Sequence, residues 1–187
     1  MPAPYTVAVL VGSLRKASFS RKMALAADKL APDTLKCGIV EIGDLALYDE
    51  DMEKDGPPAG WTTFRTAMKA AQAVLFVTPE YNRSVPGLLK NAIDVGSRPY
   101  GQSVFSGKPG AVISISPGAL GGFGANHHLR QSLVFLDVPV LQQPEAYIGG
   151  AASLFDEAGD IAVPATRDFI AKFMAAFAAW VETHAKT

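Results

Sequence analysis

The stretch Gly12-Ser13-Leu14-Arg15-Lys16-Ala17-Ser18-Phe19-Ser20 packs one glycine, three hydroxyls and two cations into nine residues. That mixture suits a phosphate. Unpaired amides at a helix start offer donors and a positive dipole end, hydroxyls add donors without charge, and Arg15 can grip phosphate oxygens in a fork. The stretch carries neither Gly-x-x-x-x-Gly-Lys-Ser/Thr, which would mark a nucleoside triphosphate, nor Gly-x-Gly-x-x-Gly, which would mark a dinucleotide. The plainer alternative is that Ser18 or Ser20 caps the next helix while Arg15 is solvated.

Two further clusters have ligand-friendly composition. Thr78-Pro79-Glu80-Tyr81-Asn82-Arg83-Ser84-Val85-Pro86-Gly87 is bracketed by prolines, which stiffen it and fix how Tyr81 and Asn82 are presented. An aromatic side chain there can pack on a planar ring while backbone groups read its polar edge. Tyr81 also reads as an ordinary loop residue. Ser116-Pro117-Gly118-Ala119-Leu120-Gly121-Gly122 has three glycines, which let backbone approach a ligand closely or simply make a tight turn.

Each cluster follows a short apolar run. Tyr5 to Val11, Leu35 to Ile42, Ala73 to Val77, Gly110 to Ile115 and Val138 to Leu141 read as five strands. Most lack polar alternation, the sign of burial on both faces in a parallel sheet, and the segments between them can hold crossover helices. Helical period or a first-turn proline marks Arg21 to Leu30, Trp61 to Ala71, Pro86 to Val95, Ala125 to Leu136 and Ala165 to Thr183. In the last of these Phe169, Phe173, Phe177 and Trp180 form a stripe that reads as a core face. Asp49 to Pro58 reads as a solvated acidic loop and Gly149 to Pro164 as irregular chain. The fold expected is α/β, a three-layer sandwich around a five-stranded parallel sheet. In strand order 2-1-3-4-5, the loops after strands one, three and four meet at the switch point where such sheets bind ligands.

With 187 residues, one domain spanning 1–187 is expected. Seventeen Lys and Arg against eighteen Asp and Glu give a net charge of -1, too balanced to argue for a nucleic-acid partner. Charged residues are 19% of the chain, against about 25% in an ordinary soluble domain, which favours a subunit interface. No apolar run approaches the roughly 20 residues of a membrane span, and Met1 to Val11 lacks a cationic leader, so a cytoplasmic protein is expected. Cys37 is the single cysteine, which excludes intrachain disulfides. His127 and His128 point about 100 degrees apart on a helix and cannot share a metal, and His184 has no acidic partner pattern, so no metal site is expected.

Three motifs, Gly12-Ser-Leu-Arg-Lys-x-Ser-x-Ser, Thr78-Pro-Glu-Tyr-Asn-x-Ser-Val-Pro-Gly-x-Leu-Lys-Asn-Ala-Ile-Asp and Ser116-Pro-Gly-x-Leu-Gly-Gly, together resemble the NAD(P)H-dependent FMN reductase family. The likeness is to its soluble quinone and chromate reductase branch and covers nearly the whole chain, weakening at Asp49 to Pro58 and after Gly149. It implies a flavodoxin-like fold with non-covalent FMN. By motif position, Ser13, Arg15, Ser18 and Ser20 would hold the phosphate, Pro79, Glu80, Tyr81 and Asn82 would line the isoalloxazine, and Ser116, Gly118 and Gly121 would contact its far edge. Ser20 departs from the asparagine frequent at its position, and Arg83 stands in a variable slot, where it would steer an anionic acceptor or the nicotinamide phosphate. His127 and Glu145 would pair across a subunit contact in a homodimer or homotetramer.

The activity implied is oxidation of NADH or NADPH with reduction of a quinone, chromate or another small oxidant by a ping-pong mechanism, with no catalytic side chain required because the cofactor carries the redox chemistry. The alternatives are a flavodoxin-type electron carrier and a regulatory FMN-binding protein. The near-neutral charge argues against a carrier that docks through a one-signed surface.

Overall fold

A computed structural model describes residues 3–185, so the first and last two residues of the expected 1–187 domain lie outside the described residues. Five parallel strands, β1 (Tyr5–Val11), β2 (Leu35–Ile39), β3 (Ala73–Thr78), β4 (Gly110–Ile115) and β5 (Ala146–Ile148), lie in the order β2-β1-β3-β4-β5. Every residue of β3 and β4 is buried, because helices cover both faces of the sheet.

Alternate residues of β1 face opposite layers, as the two-residue period of a strand requires. Val7, Val9 and Val11 pack with α1 (Phe19–Lys29) and α6 (Pro164–His184), meeting Met23, Ala27, Phe173 and Phe177. Ala8 and Leu10 face the layer of α3 (Ala59–Ala70), α4 (Gly87–Gly96) and α5 (Phe123–Phe135), meeting Trp61, Phe64, Leu89 and Leu129. Phe173 and Phe177 are fully buried, each contributing about 1.5–3 kcal/mol of burial. Phe169 and Trp180, at the ends of the expected stripe, are only partly buried against that core. Among the described residues no helix is long and apolar enough to cross a membrane.

Three segments depart from expectation. Val138 to Leu141 is not the fifth strand: Gly110 N donates to Pro139 O at 3.1 Å and Leu141 N to Gly110 O at 2.8 Å, one bridge at the start of β4, before the chain swings out. Pro139 and Pro144 have no amide to give a continuous ladder, so regular pairing resumes only at Ala146 beside Ile113. The second strand ends at Ile39 rather than Ile42, with Val40 N still bonded to Val9 O at 3.0 Å.

Asp49 to Pro58 contains a short helix, α2 (Glu50–Asp55). Asp49 Oδ1 caps it by accepting from Asp51 N at 2.9 Å, and the acidic first turn suits the positive helix end. Glu53 is then committed to Arg65 of α3, Nη1 to Oε1 at 2.9 Å and Nη2 to Oε2 at 2.5 Å, with both side chains nearly buried.

Candidate functional site

The loops after β1, β3 and β4 stand side by side at the carboxyl end of the sheet, as the strand order requires. Contacts weld the first to the second. Gly12 N donates to Val77 O at 2.9 Å, and a Cβ at Gly12 would lie 3.1 Å from Pro79 Cδ and 3.3 Å from Thr78 Oγ1. A side chain there would press on the second loop, whose Pro79 and Thr78 would have to give by a few tenths of an ångström.

In the first loop, Ser18 N donates to Arg15 O at 3.1 Å and Arg15 N to Ser13 Oγ at 3.4 Å. Among the described residues the amides of Ser13, Leu14, Lys16 and Ala17 meet no backbone acceptor. Ser18 is the N-cap of α1: its Oγ accepts from Arg21 N at 3.1 Å. A hydroxyl that accepts still has its own hydrogen to donate, so capping and anion binding are compatible in one side chain. Ser18 and Ser20 are both buried at the helix start. The Arg15 guanidinium lies 6.0 Å from the centre of the Phe19 ring.

Beside the loop is a cavity of about 330 Å³ whose lining includes Ser13, Arg15, Lys16, Arg21 and Glu41. Arg21 grips Glu41 through two bonds of 3.2 and 2.5 Å. Hydrogen bonding from Arg21 holds the Glu41 carboxyl below its usual value. Arg21 is therefore spoken for, and Arg15 and Lys16 carry the charge that remains for an anion.

The second loop is a tight turn. Tyr81 N donates to Ser84 O at 3.2 Å and Ser84 N to Tyr81 O at 3.0 Å, while Asn82 and Arg83 take φ of 51° and 63°. Two successive left-handed residues characterise the two-residue hairpin turn, tolerable for asparagine and costly for arginine. Tyr81 projects half-exposed, and the Arg83 side chain is largely exposed. Pro79 sits against Gly12. The Glu80 carboxylate turns away from the rim: its Oε2 accepts from Ala125 N in the first turn of α5 at 3.0 Å.

In the third loop, Ser116 N donates to Ile148 O at 2.9 Å and Ser116 Oγ accepts from Gly118 N at 3.1 Å. Gly121 has a structural cause: its φ is 59°, and a Cβ would lie 2.5 Å from the Tyr147 carbonyl carbon. Gly118 has no such cause, since a Cβ there would meet only Ser116 Oγ at 3.6 Å. The rim is apolar. Leu14, Tyr81, Leu120 and Phe123 each expose half or more of their surface around the three loops. Donors and cations on one side with an apolar rim on the other can take a phosphorylated planar molecule.

Several residues have positioning roles that sequence analysis did not assign to them. Asn91 is buried on α4: its Oδ1 accepts from Tyr48 N at 2.9 Å, and its Nδ2 donates to Leu45 O and Ala46 O. It thereby holds Tyr48 in a stack on Trp61, with ring centres 5.3 Å apart. Asn126 ties α5 to the sheet through Ser114 Oγ at 3.2 Å and Ala146 O at 3.3 Å. His128 Nδ1 lies 2.9 Å from Ser84 Oγ. These side chains sit on the faces of regular elements, and only the tertiary fold shows what they reach.

Among the described residues no group of three His, Cys, Asp or Glu side chains is gathered as a metal site. His127 Nε2 lies 2.9 Å from the Tyr147 hydroxyl of the same chain. The Tyr147 hydroxyl is pushed up to about 12, first by burial and then by the neighbouring Glu145 carboxylate.

Comparison with known proteins agrees with this geometry. A quinone reductase of Pseudomonas putida is 64% identical over 182 residues, covering 97% of each chain. A 2-hydroxy-1,4-benzoquinone reductase of a Burkholderia species is 46% identical over 175 residues, covering 94% of this chain and 95% of that one. The solved structure of FerB, a flavoenzyme NAD(P)H:(acceptor) oxidoreductase from Paracoccus denitrificans, superposes with a TM-score of 0.92 at 41% identity, covering 97% of this chain and 100% of that one. Residues 5–153, which span all three loops, match the family of NADPH-dependent FMN reductases, and with the sheet order and loop chemistry above, the chain belongs to that family.

Proposed function

We propose that the chain is an FMN-containing quinone reductase that oxidises NADH or NADPH. The observation that carries the reading is the meeting of the Gly12 to Ser20 donor loop with the Tyr81 turn and the open Gly118 position, all at one end of the sheet. FMN fits these residues: free amides, hydroxyls and two uncommitted cations match a phosphate, and the apolar rim matches a flat ring system. Ser13, Arg15, Ser18 and Ser20 would hold the phosphate. Pro79, Tyr81, Asn82 and the Glu80 backbone would line the ring, with Ser116, Gly118 and Gly121 at its far edge. Arg83, cationic and exposed at the mouth, would meet an anionic acceptor or the dinucleotide phosphate.

When bound, FMN supplies acceptance of a hydride from the nicotinamide and two-electron delivery to the acceptor. The sum is NAD(P)H plus a proton plus quinone giving NAD(P)⁺ plus hydroquinone. What the chain would contribute is the three loops as a grip, leaving one opening to be used first by the dinucleotide and then, after it leaves, by the quinone. The relatives' printed activities support the quinone as acceptor class, and chromate would be a secondary oxidant. The proposal extends to a cytoplasmic protein, where NAD(P)H is supplied, and to a homodimer or homotetramer.

Steady-state oxidation of NADH and NADPH with benzoquinone, by protein whose flavin content has been measured, tests the reading. Turnover with stoichiometric FMN is expected. Bound FMN without NAD(P)H oxidation would make the chain a carrier instead.

A further inference from the structure

Helix α5 begins at Gly122, a left-handed N-cap residue that offers no side-chain acceptor. The amides of a first helical turn need partners, and a negative group is favoured beside them. Glu80 supplies one from a loop 45 positions earlier in the chain, Oε2 accepting from Ala125 N at 3.0 Å. Its side chain is only 13% exposed, and its other oxygen lies 3.8 Å from Arg83 Nη1.

The same junction explains Gly124. A Cβ there would stand 2.8 Å from Arg83 O and 2.9 Å from Glu80 Oε2. Glycine inside a helix is unfavourable, and no positive φ calls for it at this position, so what it provides is close approach of α5 to the turn. A further contact, His128 Nδ1 to Ser84 Oγ at 2.9 Å, docks the far end of the turn on the next stretch of the helix.

We propose that Glu80 is a positioning residue: its carboxylate caps α5 and locks the Tyr81 to Ser84 turn against that helix, so that two of the three loops around the flavin site move as one body. The proposal rests on the FMN reading for its consequence, because the locked turn presents Tyr81 and Asn82 while α5 anchors the Ser116 to Gly122 loop. The Glu80 carboxylate acts through the backbone it holds and does not serve as a ligand contact.

Three variants of the full-length chain test this: Glu80→Ala removes the acceptor, Glu80→Gln keeps an oxygen acceptor without charge, and Gly124→Ala forces a methyl between helix and turn. Two quantities are read, the dissociation constant of FMN by flavin fluorescence and the exchange rate of the Ala125 amide by NMR without added flavin. Glu80→Ala should raise the dissociation constant at least tenfold and speed Ala125 exchange at least tenfold. Glu80→Gln should recover most of both, and Gly124→Ala should weaken FMN binding with Glu80 intact. Faster exchange in Glu80→Ala with FMN binding unchanged within twofold would overturn the proposal. So would a Glu80→Gln variant that keeps Ala125 protected yet binds FMN as poorly as Glu80→Ala, since the charge would then act on the ligand itself. Should Glu80→Ala fail to fold, unchanged FMN binding in Gly124→Ala would be the overturning result. A wild-type chain that takes no FMN would sink the functional reading instead, and the clamp would stand or fall on Ala125 exchange alone.

Discussion

His127 and Tyr147 share a contact inside one chain, Nε2 to hydroxyl at 2.9 Å, with the Phe123 ring centre 4.3 Å from that of His127. Tyr147 therefore competes with any partner subunit for both His127 and Glu145. Val134 and Phe135, more than three-quarters exposed on the same helix, favour association through this side of the molecule. Light scattering at micromolar concentration should give the mass of an oligomer. Glu145→Gln should then shift its dissociation, and an unmoved equilibrium would assign Glu145 to Tyr147 rather than to a subunit contact.

Arg15→Ala should weaken FMN binding about tenfold or more with the fold intact, because a charge-assisted hydrogen bond to phosphate contributes roughly 1.5 to 3 kcal/mol. Riboflavin, lacking the phosphate, should bind less tightly and respond less to the substitution. Equal FMN titrations for wild type and variant would remove Arg15 from the phosphate site.

If the three loops grip one cofactor as proposed, no dinucleotide fingerprint is left over, and both substrates should use the same opening in turn. Double-reciprocal plots against quinone at several NAD(P)H concentrations should be parallel. His127→Ala should cost less than about tenfold in turnover, equal to roughly 1.4 kcal/mol of barrier, while Tyr81→Ala should impair flavin retention or reduction. Intersecting lines would contradict the shared opening.

Burial, reinforced by Asp28, pushes the Cys37 thiol up to about 12. Because the shift is upward, the group stays protonated at neutral pH, with a thiolate fraction of about one in 10⁵ at pH 7. Iodoacetamide should label the folded chain slowly at pH 8, and Cys37→Ser should leave turnover within about tenfold. Rapid labelling of the native chain would show that the thiol is neither buried nor inert.

The Arg65 and Glu53 pair, 10% and 12% exposed, also bonds Val95 O through Arg65 Nε at 2.9 Å. Removing one partner leaves the other charge buried, so Glu53→Ala should lower stability by about 3 kcal/mol. Urea denaturation reads this directly, and a loss below about 1 kcal/mol would show that solvent compensates Arg65.

The sheet order came with the flavodoxin-like resemblance, while the spans of β1 and β4, and that of β3 to within one residue, were legible because these strands are central and burial on both faces leaves an unbroken apolar run. The edges were not. Ala146-Tyr147-Ile148 is too short to stand out beside the apolar run Val138 to Leu141, and only the ladder to Ile113 distinguishes them. Asp49 to Pro58 looked solvated because Glu53 finds Arg65 twelve residues on, a pairing that acidic composition conceals. At the proposed site, loop composition singled out three loops that the strand order brings together at one end of the sheet. What it could not show is direction: Glu80 lies in a ligand-lining motif, yet its carboxylate faces α5, and Gly124 makes sense only once that carboxylate is in place.

The two outer strands differ from the inner three in a way that bears on self-association. β5 offers three residues between Pro144 and Gly149, and β2 offers five, with Lys36 and Gly38 exposed. A second chain seeking to extend the sheet would find little continuous backbone to pair with, and a charge beside it. Runaway strand addition, the usual hazard of a sheet this apolar, is therefore blunted at both margins, and any pairing of copies would have to use side chains on the helical flanks.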